Sequence, residues 1–268
     1  TRAKVLHYGH DLHFMRTLKQ NEIDNKKGLQ EEAEKWRQIE FSLFDKSDLV
    51  LAPSEAEKSL IRQMEISTPI YAIKPYSFDI IPDPVSDFSV RKDILFVGGF
   101  THIPNVDAVI WFVREVWPKM RNKLSGGRFI VAGSNVPPEI AALATEDINV
   151  VGFLPEPDLQ KLYKTIKLVV VPLRYGAGVK GKTVEAMYHG IPLVTTSFGI
   201  EGLPGDTSFI SPQNNATDFS SELIRLYNAP DEELATLSNK EADYVKEHFH
   251  FNVVKAEMIG ILEKLKHK

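Results

Sequence analysis

The chain of 268 residues contains no cysteine. Disulfides, thiol nucleophiles and thiolate metal sites are therefore excluded, which suits a reducing, cytoplasmic setting. No apolar run approaches the roughly 18 residues that a membrane-spanning helix needs, and Thr1-Arg2 does not open a secretory signal. The chain does not begin with methionine, which raises the expectation of a trimmed or partial protein. No charge excess is present either, since 32 basic and 36 acidic side chains leave a formal net charge of −4. A broadly basic, nucleic-acid-binding surface is not expected from that balance, and any phosphate site must be local. What remains is an ordinary soluble composition, 43% hydrophobic and 25% charged, at a length where chains divide into two domains.

Against this background residues 168–202 stand out: LVVVPLRYGAGVKGKTVEAMYHGIPLVTTSFGIEG. The run 168–171 is apolar and β-branched, as in a strand buried on both faces. Gly176, Gly178 and Gly181 follow, with Arg174, Lys180 and Lys182 in the same loop. A short helix is expected from about Lys182 to Gly190, where the glycine can end it and Pro192 follows, and then a strand over 193–196. Strand, glycine loop, helix and strand make a βαβ element that aims a helix N-terminus and three cations at one place, as an anion site requires.

Two general motifs match here. Gly176 to Thr183 satisfies the P-loop pattern, and Gly176-x-Gly178-x-x-Gly181 satisfies the dinucleotide fingerprint, with Glu201 about 20 residues on. A P-loop enzyme needs a later apolar strand ending in Asp for its metal, and none follows residue 190. A dinucleotide loop normally follows the first strand of its sheet, whereas several strand-like segments precede this one. The P-loop reading stays open as a minor alternative.

Along the rest of the chain, residues 4–9 read as a short strand that gives way to a loop at His10-Asp11-Leu12-His13. A partly amphipathic helix is expected over 28–45 and a strand over 49–52. Ser54 is an expected N-cap, with Glu57 completing a capping box for a helix to Met64. Residues 69–73 read as a strand, and the proline-rich stretch that follows reads as a linker. Strands are expected at 93–97, 128–132 and 148–151, and helices at 137–144 and 158–165. Asn105 is an expected cap for a helix carrying Val106, Val109, Ile110, Val113 and Trp117 at helical spacing. From Ala216 onward the pattern is helical. The fold class is therefore α/β with a doubly wound parallel sheet that presents its ligand at the carboxyl ends of the strands.

The run PLRYGAGVKGKTVEAMYHGIPLVTTSFGIEGL closely resembles the donor-binding region of retaining, nucleotide-sugar-dependent glycosyltransferases of the GT-B fold, the group called family 4 or group 1. Glu185, Gly190, Pro192 and Val194 fall on that family's E-A-M-x-x-G-x-P-x-V signature. The resemblance implies a Rossmann-like donor domain over 90–245, part of an acceptor-side Rossmann-like domain over 1–85, and a C-terminal helix over 246–268. Residues 1–80 resemble only the back half of a first domain, so the chain is expected to be a fragment, or to have its first domain completed elsewhere.

The resemblance also assigns residues. Glu185 is expected to bind the ribose hydroxyls, against the alternative of a solvated helix residue. Lys180 and Lys182, with Gly178, Val179, Gly181 and Thr183, are expected at the diphosphate, because two lysines at a helix N-terminus oppose the dipole unless an anion joins them. Arg174 is a weaker member, since it could instead cover a sheet edge. Gly98, Gly99 and Asn105 match a loop that approaches the diphosphate, and His10 matches a histidine at the transferred sugar; its alternative is a bond within its own loop. His13 and Arg16 are further candidates. Many family members carry a second Glu where Ala177 stands here. No Asp-x-Asp motif is present, so no metal is expected, and no resident cofactor either: the nucleoside-diphosphate sugar is a substrate. The expected activity is retaining glycosyl transfer to a sugar, lipid-linked or glycan acceptor. Peripheral association with the cytoplasmic face of a membrane is compatible with that, and a nucleotide-binding module without chemistry is the alternative.

Overall fold

The computed structural model describes residues 3–266. Two parallel sheets organise them. In the first unit the strands β1 (Leu6–Tyr8), β2 (Leu49–Ala52) and β3 (Ile70–Ala72) lie in that order. Helices α1 (His13–Asp24), α2 (Leu29–Asp45) and α3 (Glu55–Arg62) connect them.

The second unit is a five-stranded sheet. Its strands β4 (Asp93–Val97), β5 (Phe129–Ala132), β6 (Ile148–Gly152), β7 (Ile166–Val171) and β8 (Leu193–Thr195) take the spatial order β6-β5-β4-β7-β8. Every pairing is parallel. Helices α4 (Ile103–Trp111), α5 (Trp117–Met120), α6 (Pro138–Ala141), α7 (Glu156–Tyr163), α8 (Gly181–Tyr188), α9 (Ser197–Ile200) and α10 (Ala216–Tyr227) join and flank these strands, and with both faces covered β5 and most of β7 are buried along their length. The order reverses between β4 and β7, the point at which an open α/β sheet leaves a crevice beyond its strand ends.

The α/β, doubly wound class expected from the sequence is the one observed. The linker at 73–92 carries no helix or strand, and it meets the returning chain at a single parallel bridge between Phe78 and His250. Helix α11 (Asp231–Phe249) packs against the second unit through α8 (Gly181–Tyr188). After the bridge, α12 (Phe251–Lys266) returns to the first unit, where Ile261 joins Leu49 and Leu51 of β2 in one apolar cluster.

Four local expectations need correcting. Residues His13–Asp24 form a helix that the sequence does not announce: its N-cap, Leu12, offers no side-chain acceptor. The cap comes from α2, where the buried Glu40 carboxylate accepts from the backbone of His13 at 2.8 Å and Phe14 at 3.2 Å. An acceptor at two first-turn amides satisfies donors that the helix itself leaves free.

Asn105 does not cap the following helix. That helix, α4 (Ile103–Trp111), starts after His102 with Pro104 in its first turn, so Asn105 lies inside it. The expected single helix is also interrupted by a wide π turn over Phe112–Val116, before Trp117–Met120 resumes the α form. Pro118 has no N–H to give to the turn before it, and a wider turn accommodates the missing bond.

Ser54 does cap α3, accepting from the Glu57 backbone at 3.3 Å. The second half of the capping box is not made as expected. The Glu57 carboxylate takes the Ser54 hydroxyl as a donor and reaches out of its own unit to a backbone amide at 2.6 Å, that of Gly178.

Candidate functional site

The glycine loop leaves β7 and enters α8, while Gly98 and Gly99 end the adjacent β4. The two loops thus flank the point of reversed strand order. Three side-chain contacts tie them together. Lys182 Nζ donates to Asn105 Oδ1 at 2.9 Å, and Asn105 Nδ2 donates to the Gly99 carbonyl at 2.7 Å. Gly98 makes room for this arrangement, since a Cβ there would lie 2.8 Å from Asn105 Nδ2. Lys182 also sits 5.5 Å from the Phe96 ring centroid.

A cleft of about 690 Å³ opens here between the two units. Its first-unit wall includes His10, Asp11, His13 and Arg16, and its second-unit wall includes Gly99, His102, Asn105 and residues 179–182, with Ala177 beside them. Tyr76 of the linker covers Gly181, and its hydroxyl donates to the Val179 carbonyl at 3.4 Å. Ala177 contributes only a methyl group where many relatives of the type described above carry a carboxylate. Another cavity, of about 700 Å³, lies between α3, β3 and α12, and none of the candidate residues lines it.

Partly or fully buried basic side chains set the electrostatics of the cleft. Lys182 keeps some exposed surface at the cleft floor, yet the protein around it pushes its pKa down to about 8, helped by the repulsion of Lys180. Lys180 is 7% exposed, and burial lowers its pKa against the attraction of Glu201 and Glu57. Its ammonium donates to the Gly178 carbonyl and lies 3.5 Å from Glu201, which also pairs with Lys19. His102 is driven to about 4 by burial and then by Arg16 and Lys182, so its imidazole stands neutral among cations at pH 7. A neutral imidazole there can accept a hydrogen bond where a charged one would only add repulsion.

Glu185 lies one turn into α8 and, unlike Lys180 and Lys182, does not line the cleft. Burial and the neighbouring Glu156 raise its pKa to about 7, opposed by Lys182 and Tyr163. The Tyr163 hydroxyl faces this carboxylate without completing a hydrogen bond of good geometry, and among the described residues it has no other hydrogen-bond partner. Behind the pair, Tyr163 stacks on His189 at 4.0 Å.

The candidate residues therefore do not all converge. His10, Gly99, Asn105, Val179, Lys180, Gly181 and Lys182 line one cleft. Gly98 supports it from behind. Arg174 turns away and forms a two-pronged pair with Asp107 of α4, including one bond of 2.9 Å. Thr183 is fully buried, with its hydroxyl on the Gly199 carbonyl at 2.7 Å. The Gly178 amide is held by Glu57. Sequence reasoning missed His102 and Tyr76. The first had a positional signal, lying between Gly98-Gly99 and Asn105; the second sits in an aperiodic linker that had none. Among the described residues no helix is long and apolar enough to cross a membrane.

Comparison with known proteins agrees with this fold. The profile described as Glycosyl transferases group 1 matches residues 91–229. A Klebsiella pneumoniae chain described as an uncharacterized 44.6 kDa protein in the cps region is 27% identical over 169 residues, covering 60% of this chain and 41% of that one. Sucrose-phosphate synthase from Thermosynechococcus elongatus superposes with a TM-score of 0.76 at 18% identity, covering 98% of this chain and 68% of the other. S. aureus TarM superposes at 0.72 and 17% identity, covering 95% of this chain and 50% of TarM. Anabaena Alr3699/HepE, solved with UDP-glucose, superposes at 0.70 and 13% identity, covering 97% and 72%. The chain thus spans less than half the length of its curated relative and half that of TarM. With the family profile matched over just over half of its residues and the same fold in these structures, the chain belongs to the glycosyl transferases group 1.

Proposed function

We propose that this protein binds a nucleoside-diphosphate sugar at the point of reversed strand order and transfers the sugar, with retention, to a hydroxyl of a sugar, lipid-linked or glycan acceptor. The observation that carries the reading is the joining of Lys182, the α8 N-terminus and Glu185 on one short helix, directly across from the Gly98-Gly99 end of β4. Lys182, with its own amide and the N-terminus of α8, suits a diphosphate, because the positive end of the helix dipole favours an anion. Glu185, one turn further, suits the two ribose hydroxyls that come next along a nucleotide. His10 on the opposite wall suits the sugar, and the first unit suits the acceptor. Complexes of related folds with UDP or UDP-glucose support the choice of donor. The relative from a cps region supports a role in polysaccharide synthesis.

As the glycosidic bond breaks, negative charge grows on the leaving diphosphate. A lysine and the N-terminus of a helix already aimed at that position stabilise it without reorganising, and each such contact lowers the barrier by about 3 kcal/mol. The chemistry requires no metal on this reading. The departing phosphate assists deprotonation of the acceptor hydroxyl on the same face of the sugar. Binding without transfer is the second reading, favoured by Ala177, which lines the cleft with a methyl group.

Calorimetric titration with nucleoside diphosphates in EDTA tests donor binding, and transfer from labelled nucleotide sugars separates the two readings. Glu185→Ala is expected to weaken a ribonucleotide about tenfold or more, and its 2′-deoxy form much less, since a charged hydrogen bond is worth about 1.5–3 kcal/mol. Binding that needs Mg²⁺ and prefers a triphosphate would return the site to the P-loop alternative.

A further inference from the structure

Glu57 belongs to the first unit, yet its carboxylate acts on the second. The residue is 4% exposed. It accepts from the Gly178 amide at 2.6 Å and from the Ser54 hydroxyl, so both of its oxygens are in use. At Gly178 the loop packs closely against the backbone of the first unit at His10 and Asp11. The φ of this glycine is +72°, and a Cβ there would lie 2.5 Å from the His10 carbonyl oxygen. On its other side, the Gly178 carbonyl accepts from Lys180.

Both peptide groups of Gly178 are therefore held, the N–H by a first-unit carboxylate and the C=O by a buried lysine that the same carboxylate attracts. Fixing those two peptide planes fixes the direction of the next amides in the chain, the ones that lead into the first turn of α8. Gly178 itself has no side chain to stiffen the loop, and positive φ is one of several states accessible to it. Without an anchor the loop would lose its aim, and binding would have to supply the ordering.

We propose that Glu57 is a positioning residue that locks the glycine loop of the second unit into its anion-binding form from the first unit, so that nucleoside-diphosphate affinity depends on contact between the units. This rests on the donor reading given above. Glu57 engages the Gly178 amide and leaves the first turn of α8 to the ligand, so carboxylate and diphosphate use different donors and need not compete. It also accounts for the unmade half of the capping box: the acceptor is spent across the unit boundary instead of on its own helix.

The test is calorimetry with UDP on the whole chain, for wild type, Glu57→Ala and Glu57→Gln, with thermal unfolding measured in parallel. Glu57→Ala is expected to weaken UDP about tenfold or more, the scale of a lost charged hydrogen bond. Glu57→Gln should bind within about threefold of wild type, because its amide oxygen still accepts from Gly178 and its NH₂ can donate to Ser54 Oγ. If Glu57→Ala does not fold, Glu57→Asp replaces it, since the shorter carboxylate keeps the charge but does not span to Gly178, and it should show the same loss. Wild-type UDP affinity in the Ala or Asp variant, at unchanged melting temperature, would reduce Glu57 to an ordinary cap and overturn the proposal. Tighter binding would overturn it too, by making Glu57 a competitor of the phosphate. If wild type bound none of UDP, ADP, GDP or dTDP, the donor reading would fall first and this inference with it.

Discussion

Lys182 donates from Nζ to Asn105 Oδ1 at 2.9 Å, joining the first turn of α8 to the first turn of α4 across the reversal of strand order. The lysine is paired with a neutral acceptor, so the contact aims its charge without cancelling it.

Lys182→Ala should therefore weaken a nucleoside diphosphate about 10- to 100-fold, the loss of one charged hydrogen bond. Because phosphate stabilises the ammonium form, a free-state pKa of about 8 should rise on binding. Binding near pH 8.5 should then take up protons, which calorimetry in buffers of different ionisation enthalpy measures directly. Zero uptake, or the same uptake in Lys182→Ala, would place the phosphate elsewhere.

Glu185 should impose the opposite limb. With a free-state pKa of about 7, it is protonated below that value and then loses acceptor capacity toward a ribose. Affinity for a ribonucleoside diphosphate should fall as pH drops through about 7, by up to tenfold per pH unit, and fall again as pH rises through about 8 with Lys182. The acid limb should vanish in Glu185→Ala. An acid limb unchanged in that variant would show another group to be responsible.

Arg174→Ala separates a cation in the loop from a cation in the site. Its guanidinium is committed to Asp107, so its loss should cost about 1 kcal/mol of stability in urea unfolding, as for a partly exposed pair, and leave UDP affinity within about twofold. A tenfold loss of affinity at unchanged stability would bring Arg174 back to the ligand.

Glu40→Ala should loosen α1. The substitution strips two first-turn amides of their acceptor, a loss of about 1–2 kcal/mol, while Glu40→Gln keeps one acceptor oxygen and should lose less. Hydrogen exchange at the His13 and Phe14 amides reads the effect locally. Protection that stays at the wild-type level in Glu40→Ala would show that the carboxylate is not the cap.

The sheet of the second unit was legible because its information is local. Runs such as 168–171 are apolar on both faces, those at 93–97, 128–132 and 148–151 run straight into glycine, and their spacing admits only parallel crossovers, so the class of fold and the place of the glycine loop follow from residue order alone. Ser54 as the cap of α3 was legible for the same reason, its donor lying three residues away. Tertiary structure decided everything that depends on a partner distant in the chain. Helix α1 is capped by Glu40 from 27 residues away, so no local signal marks its start. Arg174 and Lys182 read alike as cations of one loop, yet Asp107 takes the first as a charged partner and Asn105 takes the second as a neutral one. Glu57 read as half of a capping box, and only the approach of the two units, 121 residues apart at this contact, gives its carboxylate to Gly178 instead. Periodicity and turn chemistry act over a few residues, whereas the sharing of a charge is settled only when the folded chain brings its partners within hydrogen-bonding distance.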